Sequence, residues 1–300
     1  MSRILRVLLL LAVLGTVLLW FYPPARLFAL AVAGRSPACP LSSAVKSDQN
    51  LRLQIRYNDE IIKASKLLET DAAGYELWDT PAGRFWIPKG SRYVLPFNLA
   101  EQKRRIYGDD QQSARAGDIV LDCGANVGVT VRVWLAAGAK QVVAIEPAPE
   151  NLECLRRNFK DEIASGRVIL YPKGVWDKDE IMPLQIDPNN SAADSFLIHR
   201  EGGTEAPGIP LTTIDKLVAE LKLERVDFIK MDIEGAEREA LRGASGTLAR
   251  DFPRLMLDSY HLPDDMQVLP VIIHKANPRY AMTCGPCEEG SFTPHVTYYH

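Results

Sequence analysis

The chain of 300 residues has no basic excess: 35 Lys and Arg stand against 38 Asp and Glu, for a net charge of −3. The electrostatic footprint that nucleic-acid binding demands is therefore missing. Lys103-Arg104-Arg105 and Arg156-Arg157 are isolated clusters that read as solvated helix faces rather than a phosphate patch. Cysteine is scarce and odd in number, five in all, which argues against a disulfide framework and for a reducing compartment. The full Gly-x-Gly-x-x-Gly fingerprint of a dinucleotide site is also absent; the turn from Gly124 to Gly128 reads Gly-Ala-Asn-Val-Gly. What is present, 47% hydrophobic and 24% charged residues, suffices for a sizeable core and excludes a disordered chain.

Charge is nearly missing from Ile4 to Tyr22 as well, with Arg6 the one exception. As a helix this run is about 28 Å long, close to a bilayer's hydrocarbon thickness. Trp20, Phe21 and Tyr22 sit where an interfacial aromatic belt belongs, and Pro23-Pro24 ends the helix. Residues 1–24 are thus expected to be a membrane anchor and 25–50, with Pro37, Pro40 and several serines, a linker. A signal cleaved after Ala31-Val32-Ala33 and a helix buried in a soluble fold are the competing readings.

Residues 51–116 show no core of their own and read as a cap on the domain C-terminal to them. Asp59 to Leu68 has helical spacing, Tyr75–Trp78 and Arg84–Ile87 look like strands joined by a turn, and Asn98 to Tyr107 resembles a further helix. From 117 to 300, short apolar runs alternate with helical patterns. Strands are expected at Ile119–Asp122, Gln141–Glu146, Val168–Tyr171, Val226–Asp232 and Arg254–Asp258. Helices are expected at Val127–Ala137, Pro149–Phe159, Thr213–Leu221, Glu234–Arg242 and Asp264–Ala276. That order predicts an α/β fold, a doubly wound and mostly parallel sheet with helices on both faces.

In such a sheet the ligand lies beyond the carboxyl ends of the strands. Those ends carry Asp122 with Gly124, then Glu146, then Gly174-Val175-Trp176, then Asp232 with Glu234, then Asp258-Ser-Tyr-His261. Glu146 falls where an acidic side chain accepts the hydroxyls of a ribose, in NAD and S-adenosylmethionine (SAM) alike. Asp122 at the first strand end would repel a pyrophosphate and better suits the positive charges of SAM.

The strings Leu121-Asp-Cys-Gly-Ala-Asn-Val-Gly128, Ala144-Ile-Glu-Pro147, Leu211-Thr-Thr-Ile-Asp215 and Ile229-Lys-Met-Asp-Ile-Glu-Gly-Ala-Glu237 together resemble the FkbM family of SAM-dependent methyltransferases. Trp78 to Pro88 and Glu101-Gln102 resemble that family's lead-in, whereas the first fifty residues do not belong to its pattern. The resemblance implies a seven-stranded, Rossmann-like class I sheet ending in an antiparallel hairpin, here Tyr280–Cys284 with Val296–Tyr299. It also implies methyl transfer to an oxygen, commonly a hydroxyl of a sugar or similar metabolite.

On this basis Asp122, Gly124, Asn126 and Gly128 are expected to line the amino-acid end of SAM, Glu146 to hold the ribose, and Val175 and Trp176 to flank the adenine. Asp232 and Glu234 are the expected active-site acids. His261 is the expected general base, a near-neutral imidazole beside the ligand edge. Asp194, Ser195 and His199 belong to a polar stretch, Asp187 to Pro210, expected to cover the substrate. No residues are assigned to a metal, although Asp232 and Glu234 leave Mg²⁺ dependence open. Cys284-Gly-Pro-Cys287 spells a dithiol motif outside its usual context and reads as a turn in the last hairpin. The expected protein is single-pass, with a small hydroxyl acceptor, a glycan or a lipid-linked sugar being among the candidates. Arg3 and Arg6 against Arg26 and Arg35 lean slightly to N-terminus inside, while the cytosolic SAM pool favours a cytoplasmic catalytic domain, the expectation adopted. An NAD-dependent oxidoreductase and a non-catalytic membrane-anchored binding protein are the alternatives.

Overall fold

The computed structural model describes residues 3–22, 25, 46–108, 112–287 and 293–300. Most of the expected linker, with Pro23-Pro24 and Ala31-Val32-Ala33, lies outside the described residues. Helix α1 (Arg3–Phe21) has no buried residue. It is long and apolar enough to cross a membrane, a test that a signal sequence also passes.

Helix α2 (Ser47–Ala64) begins well before the expected Asp59 and stops at Ala64. The expected helical continuation to Leu68 is instead strand β1 (Lys66–Thr70), exposed along its whole length and so without the alternation that marks a strand. Ser65 makes the break: its backbone is extended, and its hydroxyl donates back to Ile61 O at 2.7 Å. β1 pairs antiparallel with β2 (Glu76–Thr80), which pairs antiparallel with β3 (Gly83–Ile87). Helix α3 (Val94–Arg104) comes next. Ile61, Phe85, Ile87, Leu95 and Leu99 from these elements pack against Val127, Val129 and Cys154 of the region beyond residue 117. Their apolar surface is thus buried partly against the turn that follows Cys123 and two of the helices beyond it.

That sheet is built from β4 (Ile119–Cys123), β5 (Gln141–Ile145), β6 (Val168–Tyr171), β10 (Phe228–Met231), β11 (Arg254–Asp258), β12 (Met282–Cys284) and β13 (Val296–Tyr299), in the order β12-β13-β11-β10-β4-β5-β6. The five from β11 to β6 run parallel, and β13 joins β11 and β12 antiparallel. Successive side chains of a strand face opposite ways. Leu121 and Val143 therefore enter the core on one face and Val120 and Val142 that on the other. Burial on both faces is why these strands read as continuous apolar runs. Helices α4 (Val129–Ala136), α5 (Pro149–Asn158), α6 (Lys160–Ala164), α7 (Ile214–Glu220), α8 (Glu237–Arg242), α9 (Ser245–Arg250) and α10 (Asp265–Ala276) supply the covering layers. The alternating valines after Gly128 are helical, with Val131 and Trp134 inward.

A second small sheet, β7 (Gly174–Val175), β8 (Glu180–Ile186) and β9 (Thr204–Thr212), ordered β7-β9-β8, rises beside the main one. Through β9 it takes in part of the polar stretch Asp187 to Pro210. Cys284 is disulfide-bonded, while Cys287 is a buried thiol whose backbone forms an antiparallel β-bridge with Pro294. The two are therefore not one dithiol, and one cysteine of the odd set is disulfide-bonded although the count argued against a disulfide framework.

Candidate active site

Strand order reverses between β4 and β10, since β5 and β6 lie on one side and β11 on the other. A cavity of about 430 Å³ opens there, over the carboxyl ends of these strands. Its floor is the turn after β4. Gly124 has φ +78, and a Cβ on it would stand 1.9 Å from Asp232 O, so only glycine lets the β4 turn and the end of β10 come this close. Lys230 Nζ ties the same two elements by donating to Gly124 O at 2.9 Å.

Gly124, Asn126, Glu146 and Val175 line the cavity as expected, together with Asp232 and Glu234. Glu146 accepts from Asn126 N at 2.8 Å and from Ala148 N at 2.9 Å, one amide per carboxylate oxygen. Burial pushes its carboxyl up to about 7, with the Ala148 and Asn126 amides opposing. Each oxygen keeps a further lone pair for a hydroxyl donor. Asn126 and Glu234 are non-glycine residues with φ of 48° and 53°, a left-handed conformation that surroundings must enforce and that gathers at functional sites.

Asp122, Gly128, Trp176 and His261, expected at the site, do not line the cavity. Asp122 lies beneath the floor, fully buried. It accepts from Thr130 Oγ1 at 2.6 Å and Trp134 Nε1 at 2.9 Å, with Lys230 Nζ 3.6 Å away. Burial raises its carboxyl despite Lys230. Its charge answers Lys230 rather than a ligand. Gly128 is required for packing, because a Cβ there would meet Phe159 at 2.1 Å. Trp176 packs with Leu211 and Ala236 in an apolar cluster. His261 stands behind the acids, its Nδ1 3.0 Å from Glu237 Oε1 and its Nε2 3.7 Å from Asp232 Oδ1 and 3.8 Å from Glu234 Oε1. Burial disfavours its charged form, yet Glu237, Asp232 and Glu234 hold its pKa well above the ordinary histidine value.

The two acids that do face the cavity are driven apart. Burial raises both, but Lys230 and His261 together pull Asp232 below the usual carboxylate range. Glu234, farther from Lys230, stays above it because burial outweighs His261. Asp232 Oδ2 accepts from Tyr107 Oη at 3.1 Å, and Glu234 Oε2 pairs with Arg200 at 2.7 Å.

One wall is the stretch expected to cover a substrate. Asn189, Ser191, Asp194 and Phe196 line it, and Ser191 O accepts from both Asn126 Nδ2 and Asn151 Nδ2 at 2.9 Å. Burial pushes Asp194 up to about 7. Ser195 is structural: its hydroxyl donates to Glu234 O at 2.7 Å and accepts from Leu197 N and Ile198 N. His199 is not on the wall. The opposite lip is aromatic, with Tyr93, Phe97 and Tyr260. Lys230, Tyr107 and the aromatic lip were not singled out from sequence. Lys230 lies inside the Lys-Met-Asp string and was the one legible signal among them.

Residues 122–280 match the methyltransferase FkbM domain. The chain belongs to the FkbM methyltransferase family. The oxidoreductase alternative falls with that membership. The relatives include the hexuronic acid methyltransferase AglP of Haloferax volcanii, 26% identical over 46% of this chain and 54% of AglP. The 2-O-methyltransferase NoeI of Sinorhizobium fredii is 27% identical over 44% of this chain and 59% of NoeI. The 31-O-demethyl-FK506 methyltransferase FkbM of Streptomyces tacrolimicus is 25% identical over 47% of this chain and 64% of that protein. The chain thus spans between about half and two thirds of the length of these relatives. Among solved structures, the methyltransferase FkbM from Methylobacillus flagellatus KT is 23% identical, with a TM-score of 0.47 over 61% of this chain and 44% of that one.

Proposed function

We propose that this protein is a SAM-dependent O-methyltransferase acting on a hydroxyl of a sugar or other small metabolite. The observation that carries the reading is the meeting, in one cavity over the strand ends, of a buried carboxylate, Glu146, with two further acids, Asp232 and Glu234. Names of relatives that act on a hexuronic acid or as O-methyltransferases support the acceptor class. SAM supplies an electrophilic methyl group on a cationic sulfur. Gly124, Asn126 and Val175 shape its seat, Glu146 accepts from its ribose, and the ionised Asp232 faces positive charge. The acceptor oxygen attacks the methyl carbon, an O–C bond forms, the S–C bond breaks, and the sulfur leaves as a neutral thioether. The hydroxyl proton passes to Glu234, whose raised pKa makes it the better base of the pair. His261 acts through Asp232 and Glu234 as a positioning residue.

The test is transfer of labelled methyl from SAM to host extracts by the full chain, with the product identified by mass spectrometry. Glu234→Gln is expected to lower turnover by roughly 10²–10⁴, the usual worth of a positioned base, while SAM affinity stays within a few-fold. Absence of labelled product from the wild type would sink the reading in favour of a non-catalytic binding protein.

Helix α1 is proposed as a single-pass membrane anchor. The SAM pool places the catalytic domain on the cytoplasmic side. The disulfide at Cys284 favours the other side as a second reading, since such bonds persist in oxidising compartments.

A further inference from the structure

At and behind the cavity wall lies a group of three side chains, two of which are set back from the cavity lining. Asp232, Asp258 and His261 offer one ligand atom each, all within 4.8 Å of one another. Only Asp232 of the three lines the cavity. Asp258 is 1% exposed, and neither of its carboxylate oxygens has a hydrogen-bond partner. His261 Nε2 is likewise buried and unpartnered. A buried carboxylate left in this state costs several kcal/mol unless something positive answers it. Lys230 and His261 are the cations nearby, and neither hydrogen-bonds Asp258. Lys230 Nζ addresses the far oxygen of Asp232, Oδ2, at 3.8 Å, and Arg200 is committed to Glu234. His295 Nε2 lies 3.7 Å from Asp258 Oδ2, too far to hydrogen-bond it.

The gaps have a telling size. Nε2 to Asp232 Oδ1 is 3.7 Å, too long for a hydrogen bond. Ligands sharing one cation's coordination shell stand roughly 3–4 Å apart, given metal–ligand distances of about 2.0–2.2 Å. The imidazole is also oriented as in a metal site. Glu237 holds Nδ1 at 3.0 Å, the carboxylate–histidine arrangement that fixes a ligating ring.

We propose that Asp232, Asp258 and His261 bind a divalent cation of the Mn²⁺ type, held just behind the cavity wall. Two carboxylates with one imidazole suit a first-row divalent ion better than Ca²⁺, which takes oxygen ligands. Any proton on Nε2 leaves when the ion binds, as ligand imidazoles are neutral. The ion shares Asp232 with the cavity, so it fixes that carboxylate while leaving Glu234 free to accept a proton. The site stands independently of the methyl-transfer reading.

The experiment is titration of the chelator-treated full chain with Mn²⁺, followed by calorimetry and by the electron paramagnetic resonance of bound ion. One Mn²⁺ per chain is expected. Asp258→Asn, which keeps shape and removes charge away from the cavity, is expected to weaken binding at least tenfold while retaining wild-type SAM affinity. If that variant misfolds, His261→Gln is expected to weaken Mn²⁺ binding at least tenfold. A wild type that takes up no Mn²⁺, or an Asp258→Asn protein that binds it equally well, overturns the proposal and shows Asp258 to be a neutral buried acid. Mn²⁺ uptake without SAM binding would overturn the function proposed above and leave the cation site standing.

Discussion

Replacing Glu146 by alanine tests the cofactor seat most directly, because this carboxylate has two duties that separate quantitatively. In the ligand-free protein its oxygens receive the amides of Asn126 and Ala148 at 2.8 and 2.9 Å, with the side chain only 4% exposed. Removing it strands two buried donors at about 1–3 kcal/mol each, a loss of folding stability of roughly 2–6 kcal/mol. Its second duty is to accept two ribose hydroxyls. Hydrogen bonds to a charged acceptor are worth about 1.5–3 kcal/mol each, so binding should weaken by about 3–6 kcal/mol, or roughly 10²–10⁴ in Kd. Calorimetric titration with SAM, run well below the unfolding midpoint, isolates the second loss, and denaturant unfolding measures the first. The carboxyl also imposes a pH signature. Burial holds it at about 7 in the free protein, and a ribose-bound carboxylate must be ionised, so binding releases its proton. Wild-type affinity should therefore tighten as pH rises, by up to about tenfold per unit below 7, and level off above. The alanine variant should lack this slope. A variant that is destabilised yet binds SAM within about fivefold of wild type, with the pH slope intact, would refute the ribose role and leave Glu146 a turn-holding residue.

Lys230→Met should destabilise the protein by roughly 3–5 kcal/mol, since it leaves Asp122 buried without its cation. At about 2–4 °C per kcal/mol the unfolding midpoint falls by some 6–20 °C, and a shift under about 2 °C in a thermal scan would show the pair to be dispensable. The side of the membrane is read by alkylating accessible thiols in denatured protein drawn straight from cells, before and after reduction. A Cys284 that labels only after reduction places the domain in an oxidising compartment, and one that labels at once places it in the cytoplasm.

The parts legible in the sequence were those where a single period or a chain terminus dictates structure. β4, β5, β6, β10 and β11 are buried on both faces, so their apolar runs could hardly be anything else. Glycines with enforced positive φ marked the turn. What strand order alone could not convey was depth. Asp122 and His261 sit at strand ends like Asp232, yet one lies under the floor and the other behind the wall, because Lys230 and Glu237 draw them there. β1 is wholly exposed and β8–β9 carries prolines and a register shift, so neither shows clean alternation. The start of α2 was hidden for a related reason. Its inward positions include Gln54, which is buried through bonds to Phe97 O and Arg104 rather than by being apolar.

The contact between Gly124 and the Asp232 carbonyl has a consequence for how such a protein diversifies. With no room there for even a methyl group, and with Lys230 clamping both sides, the spacing from cofactor turn to acidic strand end is a fixed dimension of the scaffold. Drift in that half of the cavity is penalised at once. The other half, Tyr93 and Phe97 on one side and Asn189 to Phe196 on the other, is hung on loops and helix ends that tolerate change. New acceptors are therefore accommodated by re-facing the outer wall while the inner one is inherited unaltered.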